Sequence, residues 1–265
     1  MTLIAILIGT LAAGIGSVWL AAALSFGALA RYTQHMLSLA AGALMGTAFL
    51  HLLPEAFEGQ AKAHALFMTL LVGLVFFFLL DKAELWHHGH EHGHDHSHDH
   101  EHEHEHEHGP ADNEPRSGNW AVIAGDSVHC FGDGILIASA FIADMRLGAI
   151  AAIAVLAHEV PHHMGDLIVL NRNSDNRKAA LFKVSLAGAL TALGGLTGYW
   201  LVEQLQGYLP YFLVVASSSF VYVALADLIP QLQKRLSLSE TLAQIAWLLG
   251  GIGLVTLVSS VARGH

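Results

Sequence analysis

The sequence contains a single cysteine, Cys130, among its 265 residues. One cysteine excludes an intramolecular disulfide and a cysteine-based zinc finger. Charged residues are also scarce, because they make up 13% of the chain against roughly 25% in an ordinary soluble domain. With 54% apolar residues and a mean hydropathy of +0.50, the composition excludes a soluble enzyme, a nucleic-acid-binding protein and a disordered scaffold as the default class.

Long apolar runs stand where a soluble protein would carry charge. A bilayer core of ~30 Å requires about 20 apolar residues per helix, and eight segments fit that length. They cover residues 3–28, 36–57, 64–86, 119–143, 147–170, 180–205, 209–232 and 241–262. The first segment has no basic residues before it, so we expect a retained helix and not a signal peptide. The sequence predicts an all-α integral membrane protein with eight transmembrane helices.

Basic residues are few and unevenly distributed between the two sides of these predicted spans. Nine of the twelve follow helices one, three, five or seven: Arg31, Lys82, Arg116, Arg172, Arg177, Lys178, Lys183, Lys234 and Arg235. The other three, Lys62, Arg146 and Arg263, lie on the opposite side. Because basic residues favour the cytosolic side, we expect both termini outside the cytoplasm, with the cell inner membrane as the location.

The spans divide one membrane domain into helices one to three (1–86), a polar connection (87–116) and helices four to eight (117–265). A weak repeat is present, since helix two contains the run HLLPE at 51–55 and helix seven the run DLIPQ at 227–231. These helices run in opposite directions, which is typical of an inverted repeat. The pattern predicts a 3+2+3 arrangement with helices four and five between the halves. Coincidence between two proline-bearing helices is the alternative.

The polar connection contains a run in which histidine alternates with acidic residues and glycine. Its twelve histidines are His87, His88, His90, His92, His94, His96, His98, His100, His102, His104, His106 and His108. The run has no apolar residue to bury, so we expect disorder. Imidazole binds zinc, copper and nickel, which favours a low-affinity, multi-site metal collector or sensor on the cytosolic face. An inert solvated linker is the alternative.

The fourth and fifth spans contain an unusual set of ionisable and thiol groups. Helix four carries Asp126, His129, Cys130 and Asp133, and helix five carries His158, Glu159, His162, His163 and Asp166. Helical spacing places each set on one or two adjoining stripes. Each charged group at the middle of a bilayer costs at least ~2.5–3.5 kcal/mol, so these groups must face one another, water or a cation. Imidazole with carboxylate favours zinc and related ions over magnesium or calcium.

Three further polar residues lie near the ends of other spans. His51 and Glu55 are four residues apart near the outer end of helix two, and Asp227 lies near the inner end of helix seven. They are candidates for the points at which metal enters and leaves the pathway. Interfacial capping or a polar contact with a neighbouring helix is an equally good interpretation.

The sequence resembles the ZIP family of zinc- and iron-type metal transporters over essentially its whole length, and most clearly in the fourth and fifth spans. The most specific segments are HCFGDG at 129–134 and HEVPHHMGD at 158–166. The second is similar to the H-E-x-P-H-E-x-G-D motif of one branch. The resemblance implies metal movement into the cytosol, with helices 1, 4, 5 and 6 moving as an elevator against helices 2, 3, 7 and 8.

The resemblance also implies a binuclear site between helices four and five. By position, the primary metal would be held by His129, Asp133, His158 and His162. The secondary metal would be lined by Cys130, Asp133, Glu159 and His162. Three departures bear on this site. Cys130 stands where the family usually has Asn, which favours softer ions. His163 replaces a Glu, and Thr191 stands where relatives with a full second site often carry a carboxylate.

The predicted cargo is Zn²⁺, with Cd²⁺, Fe²⁺ and Mn²⁺ as further candidates and no resident cofactor. The predicted partners are that divalent ion and the lipid bilayer, without nucleic acid, and a homodimer is left open. The chief rival is an intramembrane zinc metalloprotease, because His158, Glu159 and His162 match H-E-x-x-H. A metal exporter is a second rival, although few residues follow the last span. No nucleotide-binding motif is present, which argues against an ATP-driven pump.

Overall fold

The computed structural model describes residues 1–25, 33–89, 117–172, 177–232 and 237–263, and these residues contain no β-strand. The regular structure consists of helices. Helix α1 comprises Thr2–Leu11, the π-helical turn Ala12–Gly16 and Ser17–Ser25; α2 comprises Thr33–Thr47, the π-helical turn Ala48–Leu52 and Leu53–Glu58. The others are α3 (Ala63–Gly89), α4 (Ser117–Ala143), α5 (Met145–Arg172), α6 (Arg177–Gln204), α7 (Leu209–Leu232) and α8 (Leu238–Arg263), with a short 3₁₀ turn at Gln206–Tyr208.

The predicted all-α class is confirmed, and seven of these helices are long and apolar enough to cross a membrane. Helix α5 is the one that does not qualify among the described residues. The reason lies in its composition, because it carries the glutamate, three histidines and aspartate of the polar cluster predicted for the fifth span. Length and hydropathy therefore establish seven of the eight predicted spans.

The outer surface of the helix bundle is apolar. On α3, Phe67 is 60% exposed and Val72 62% exposed, and on α6, Phe182 is 70% exposed and Trp200 64% exposed. Soluble proteins rarely expose contiguous apolar patches larger than a few hundred Å². Buried positions include several polar residues, such as Glu159. An apolar exterior around an interior that includes buried charged residues is the arrangement expected of an integral membrane protein.

Glycines set the closest helix contacts. A Cβ atom added at Gly134 of α4 would overlap the Thr191 carbonyl of α6, and one at Gly14 of α1 would overlap the Gly188 carbonyl of α6. A Cβ at Gly251 of α8 would likewise overlap the Leu39 carbonyl of α2. Small residues let membrane helices approach closely in this way. These contacts join α6 to α1 and α4, and α8 to α2.

Helices α4 and α5 form a tight hairpin with one residue, Asp144, between them. The Asp144 carboxylate accepts hydrogen bonds from the backbone N–H groups of Arg146 (2.8 Å) and Leu147 (3.2 Å). A carboxylate in this position caps the first turn of α5. The hairpin therefore holds the polar stripes of the two helices side by side.

One boundary differs from the sequence-based expectation. The third helix was expected to end near residue 86, but α3 continues to Gly89 and takes in the backbone of His87 and His88. Residues 90–116, which contain the rest of the histidine run, lie outside the described residues.

Candidate metal site

The polar residues of α4 and α5 form three groups of potential metal ligands. We name each group after one histidine or cysteine. The His129 group contains His129, Asp133, His158 and Glu159; the Cys130 group contains Asp126, Cys130, Glu159 and His163; the His162 group contains Asp126, His162 and Asp166. Within each group, one ligand atom per residue lies within 4.8 Å of all the others.

The His129 group brings two imidazoles and two carboxylates to a common point. Nε2 of His129 lies 3.3 Å from Nε2 of His158. Nε2 of His158 lies 3.3 Å from Oδ2 of Asp133 and 3.1 Å from Oε1 of Glu159. Nε2 of His129 lies 3.2 Å from the same Glu159 oxygen. Four nitrogen and oxygen ligand atoms thus surround one position.

The Cys130 group lies next to it and is fully buried. The Cys130 Sγ atom lies 3.6 Å from Oδ1 of Asp126 and 3.8 Å from Oε2 of Glu159. It is 4.0 Å from Nε2 of His163, and that nitrogen is 3.1 Å from the same Glu159 oxygen. This group combines a thiol, an imidazole and two carboxylates.

The His162 group is the most open of the three. Nδ1 of His162 lies 3.3 Å from Oδ2 of Asp166, one helical turn away, and 3.7 Å from Oδ1 of Asp126. The side chain of His162 is 48% exposed, whereas those of Asp166 and Asp126 are 15% and 4% exposed. His162 therefore connects the buried carboxylate of Asp126 with the molecular surface.

Shared carboxylates connect the three groups into one series. Glu159 directs Oε1 at the His129 group and Oε2 at the Cys130 group. Asp126 directs Oδ1 at both Cys130 and His162. Because α4 and α5 are antiparallel, the series runs toward the C-terminal end of α5 and the N-terminal end of α4.

The spacings in these groups match the edges of a zinc coordination tetrahedron. With Zn–N and Zn–O distances of about 2.0–2.1 Å, the edge between two such ligands is about 3.3 Å, and an edge to a sulfur at about 2.3 Å is about 3.6 Å. The His129 group shows edges of 3.1–3.3 Å, apart from 3.8 Å between His129 and Asp133. The Cys130 edges of 3.6–4.0 Å begin at the value expected for a sulfur ligand and extend up to about 0.4 Å beyond it.

Several oxygens in these groups have no aligned hydrogen-bond donor. Among the described residues, these buried carboxylate oxygens are Oδ2 of Asp133, Oε1 of Glu159 and Oδ2 of Asp166. A buried acceptor without a donor is costly. Each oxygen lies 3.1–3.3 Å from a histidine nitrogen, so a cation held between the two would satisfy both.

A cavity of about 290 Å³ opens beside the His129 group. It lies between α3, α4 and α7, and its lining includes Phe76, Phe77, His129, Asp133, Val215 and Ser219. The side chain of His129 is 27% exposed, while Asp133 is almost fully buried. The cavity therefore reaches two members of the His129 group, and no residue of the other two groups is part of its described lining.

Ser17 on α1 holds one of these ligands in place, and the sequence-based reasoning missed it. The Ser17 hydroxyl donates to the Gly14 carbonyl oxygen at 2.5 Å and lies 3.0 Å from Nδ1 of His163. A hydroxyl has only one proton, so Ser17 is placed to accept from His163 in the tautomer that carries the proton on Nδ1. In that tautomer Nε2 of His163 is the free acceptor, directed at the Cys130 group. A serine within the apolar first span was a hint in the sequence, but it did not indicate His163 as the partner.

The ligand sets implied by the resemblance differ from the groups in the structure. His162 was expected in both sets, but here it lies with Asp126 and Asp166, and Glu159 takes the position between the first two groups. Asp133 was expected in both sets and lies only in the His129 group. The reason is side-chain direction. Glu159 turns toward α4 between His129 and His163, whereas His162 turns along α5 to Asp166.

The residues suggested for the ends of the pathway lie apart from these groups. His51 is half-buried on the π-helical turn of α2, and Glu55 is exposed one turn further on. Asp227 lies on α7, and its side chain is outside the described part of the structure. None of the three belongs to a ligand group among the described residues.

These features define an integral membrane helical protein with linked metal-ligand groups between two helices. The chain belongs to the ZIP zinc transporter family, whose sequence profile matches residues 83–259. It is 28% identical to zinc transporter ZIP13 of Pongo abelii over 284 residues, which covers 97% of this chain and 79% of that protein. It is 34% identical to zinc transporter foi of Drosophila melanogaster over 141 residues, 53% of this chain and 20% of that protein. The chain thus spans one fifth of foi and about four fifths of ZIP13.

The relatives reported above are named as zinc transporters and not as enzymes. The metalloprotease interpretation is not supported. Its mechanism requires both histidines of H-E-x-x-H on one zinc ion, yet His158 lies in the His129 group and His162 in the His162 group. Glu159 contacts histidines of both α4 and α5.

Proposed function

We propose that this chain transports zinc across the membrane into the cytosol, and that the His129 and Cys130 groups hold the ion in passage. The tetrahedral spacing of the buried ligand atoms carries this proposal. The names of the relatives, which are zinc transporters, support the choice of ion. The imidazole and carboxylate ligands also suit Fe²⁺ and Mn²⁺, and Cys130 suits Cd²⁺.

In this proposal the chain crosses the membrane eight times, because α5 crosses it in addition to the seven helices that are long and apolar enough. The burial of its polar residues supports this, because Glu159 is 1% and His163 0% exposed and neither meets lipid. The one-residue connection after α4 requires α5 to return through the same layer. Both termini are then outside the cytoplasm of an inner-membrane protein, residues 87–116 are cytosolic, and the whole chain forms one membrane domain.

The proposed transport step is an elevator-type motion of α1, α4, α5 and α6 against α2, α3, α7 and α8. The glycine contacts support this division. The glycines whose added Cβ would overlap backbone of another helix join α6 to α1 and α4, α5 to α4, or α2 to α8, in the described residues. No such contact joins the two proposed bodies there. The cavity beside His129 lies at their boundary, since α3 and α7 face α4 across it.

His51 and Glu55 are proposed as the residues at which the ion enters, and Asp227 as one at which it leaves. Their positions support these roles, because they lie on α2 and α7 toward opposite ends of the spans under the proposed topology. The histidine run from His87 to His108 is proposed to collect or sense zinc on the cytosolic side without forming part of the pathway.

Zinc uptake into proteoliposomes of known orientation tests the proposed function. We expect Asp133→Ala to reduce initial uptake to background, because it removes an anionic ligand from a buried site in which ion desolvation is costly. Asp126 belongs to the neighbouring groups and does not replace it. Asp133→Asn, which keeps the size of the side chain, should have the same effect.

The matched control is Glu203→Gln, which removes an exposed carboxylate near the end of α6. It should transport zinc at the wild-type rate. Wild-type uptake by Asp133→Ala at equal protein levels would reject the His129 group as part of the pathway. Absence of uptake by the unmodified protein would reject the proposed function itself.

A further inference from the structure

We propose that Ser219 of α7 is a further residue of the ion pathway, and that its hydroxyl hydrogen-bonds to a water ligand of the ion at the His129 group. Ser219 belongs to a helix that contributes no member to the three ligand groups among the described residues. Its role in transport rests on the proposed function, whereas its position beside a bound metal ion does not.

The cavity beside the His129 group has few polar residues in its wall. On the α4 side, the polar residues of the described lining are His129 and Asp133. On the opposite side, α3 and α7 contribute Phe76, Phe77, Leu80, Val215 and Ser219. Ser219 is the one residue of this described part of the wall with a polar side chain other than those of α4. An ion that loses water needs polar partners in its place, and Ser219 is the partner that this wall offers.

The hydroxyl of Ser219 differs from those of its neighbours on α7. Ser217 donates to the carbonyl oxygen of Leu213, one turn back on the same helix, at 2.9 Å. Ser218 donates in the same way to the carbonyl oxygen of Val214. Ser219 is 3% exposed, yet its hydroxyl makes no hydrogen bond within the described part of the chain. Because a buried hydroxyl without a partner is costly and Ser219 lines the cavity, its hydroxyl is available to a ligand there.

The side of the His129 group that faces the cavity is also its open side. His129 and Asp133 line the cavity, whereas His158 and Glu159 are not part of its described lining. Nε2 of His129 and Oδ2 of Asp133 are 3.8 Å apart, against 3.1–3.3 Å for the other spacings given above. An ion in this group is therefore approached through the His129–Asp133 edge, and a water ligand at that edge lies in the cavity.

A water ligand at this edge fits the cavity. The volume of about 290 Å³ is well above the about 10–15 Å³ that one water requires. A buried water needs two to four polar partners, and the ion, Asp133 and Ser219 supply three. A water bound to a cation donates to the Ser219 hydroxyl oxygen. Since α7 belongs to the body opposite α4 in the proposed motion, this hydrogen bond exists only while the two helices face each other across the cavity.

Zinc uptake as a function of zinc concentration tests the role of the hydroxyl. We expect Ser219→Ala to raise the concentration for half-maximal uptake by about tenfold, because hydrogen bonds that involve charged groups are the stronger ones. The maximal rate should stay near the wild-type value, since the His129 group keeps all four ligands. Alanine keeps the small size of the side chain, so a role in packing alone would change neither quantity.

The matched control for uptake is Ser217→Ala, which removes a hydroxyl bonded within its own helix. Both the maximal rate and the concentration for half-maximal uptake should equal those of the wild type. A wild-type value of the latter for Ser219→Ala would overturn the proposed role of Ser219 in the pathway.

Cadmium binding tests the position of Ser219 without transport. Cd²⁺ bound to a thiolate gives an ultraviolet charge-transfer band, and Cys130 supplies the one native thiolate of the full-length protein. Ser219→Cys should raise the saturating band to about twice the wild-type amplitude, because a thiolate is a preferred Cd²⁺ ligand and displaces the water. Ser217→Cys places the same group outside the described cavity lining, so its band should keep the wild-type amplitude.

The two measurements fail in different ways. Size-exclusion chromatography checks the folding of each variant, and equal bands for folded Ser219→Cys and Ser217→Cys would overturn the proposed position. If Ser219→Cys does not fold, Ser219→Ala, which adds no atom, still decides the proposal through uptake. If the unmodified protein takes up no zinc, the proposed function fails, while the cadmium comparison still decides whether Ser219 lies beside the bound ion.

Discussion

At the scale of single residues, Ser17 and His163 show how a ligand is prepared by a residue that does not bind the metal. The Ser17 hydroxyl lies 3.0 Å from Nδ1 of His163, and a proton held on Nδ1 by this contact leaves Nε2 free for the Cys130 group. Partners of this kind orient metal-ligating histidines, and their loss typically costs 10–100-fold in metal affinity. Ser17 is therefore a positioning residue of the Cys130 group.

We expect Ser17→Ala to weaken cadmium binding at Cys130 by about 10–100-fold. The measurement is the midpoint of the cadmium–thiolate titration in the purified protein. Thr10→Val on the same helix removes a buried hydroxyl bonded only to backbone carbonyls, so its midpoint should equal that of the wild type. A wild-type midpoint for Ser17→Ala would show that His163 needs no help from α1.

Cys130 is the residue expected to set metal preference. Replacing its sulfur with the amide oxygen of Cys130→Asn makes the Cys130 group harder, while the His129 group keeps all four ligands. We expect zinc uptake to persist and the ratio of cadmium to manganese uptake to fall by about tenfold. Initial uptake of both ions at matched protein levels measures this. An unchanged ratio would mean that the sulfur does not contact the ion in passage.

The sequence was sufficient to find the candidate ligands but not to group them. Helical spacing placed all nine on facing stripes, and the structure brings all nine into three groups. Which residue lies between two groups depends on side-chain direction, because Glu159 and His162 are on adjoining stripes of one helix. Their directions follow from packing against α4. The spacing of residues along α5 carries no information on that packing.

At the scale of helices, glycine contacts fix the distance between neighbouring axes. Gly250 and Gly251 on α8 are adjacent in sequence but differ in surroundings. A Cβ at Gly251 would overlap the carbonyl of Leu39 on α2, whereas one at Gly250 meets nothing within 4 Å. The pair offers a controlled test of how much the close contact stabilises the bundle.

We expect Gly251→Ala to destabilise the protein by about 1–3 kcal/mol, because the added methyl group forces α2 and α8 apart. Gly250→Ala should have no effect or raise the stability slightly, because alanine favours a helix. Thermal unfolding of both variants in detergent measures the difference. Equal unfolding temperatures would mean that α2 and α8 separate without cost.

The sequence predicted most helix bounds within a few residues, since apolar runs determine them. It did not predict the π-helical turns at Ala12–Gly16 and Ala48–Leu52. Such a turn changes the backbone hydrogen-bond pattern without a required residue type. The turn in α1 immediately precedes Ser17, so the position of this hydroxyl against His163 was also outside the reach of sequence pattern.

At the scale of the whole molecule, the distribution of basic residues predicts how the chain lies in its membrane. Met145, at the start of α5, is 43% exposed and follows the Asp144 cap. It lies on the side expected to be extracytoplasmic. Ser97 lies in the histidine run on the side expected to be cytosolic.

In a Cys130→Asn background, we expect an impermeant thiol reagent added to intact cells to label Met145→Cys but not Ser97→Cys. The physical reason is the excess of lysine and arginine on the Ser97 side. Labelling of Ser97→Cys after the cells are opened is the control for its reactivity. The reverse pattern in intact cells would invert the proposed topology and the direction of the ligand series.

The shared carboxylates have a consequence for how many ions the pathway carries at once. Two cations in neighbouring groups must share the negative charge of one side chain, Glu159 or Asp126. Each cation is then bound less tightly than a single cation with that charge to itself. Mutual repulsion between successive ions is how conduction pathways combine tight capture with rapid release. On the proposed pathway, scarce zinc is retained, and abundant zinc hastens its own departure.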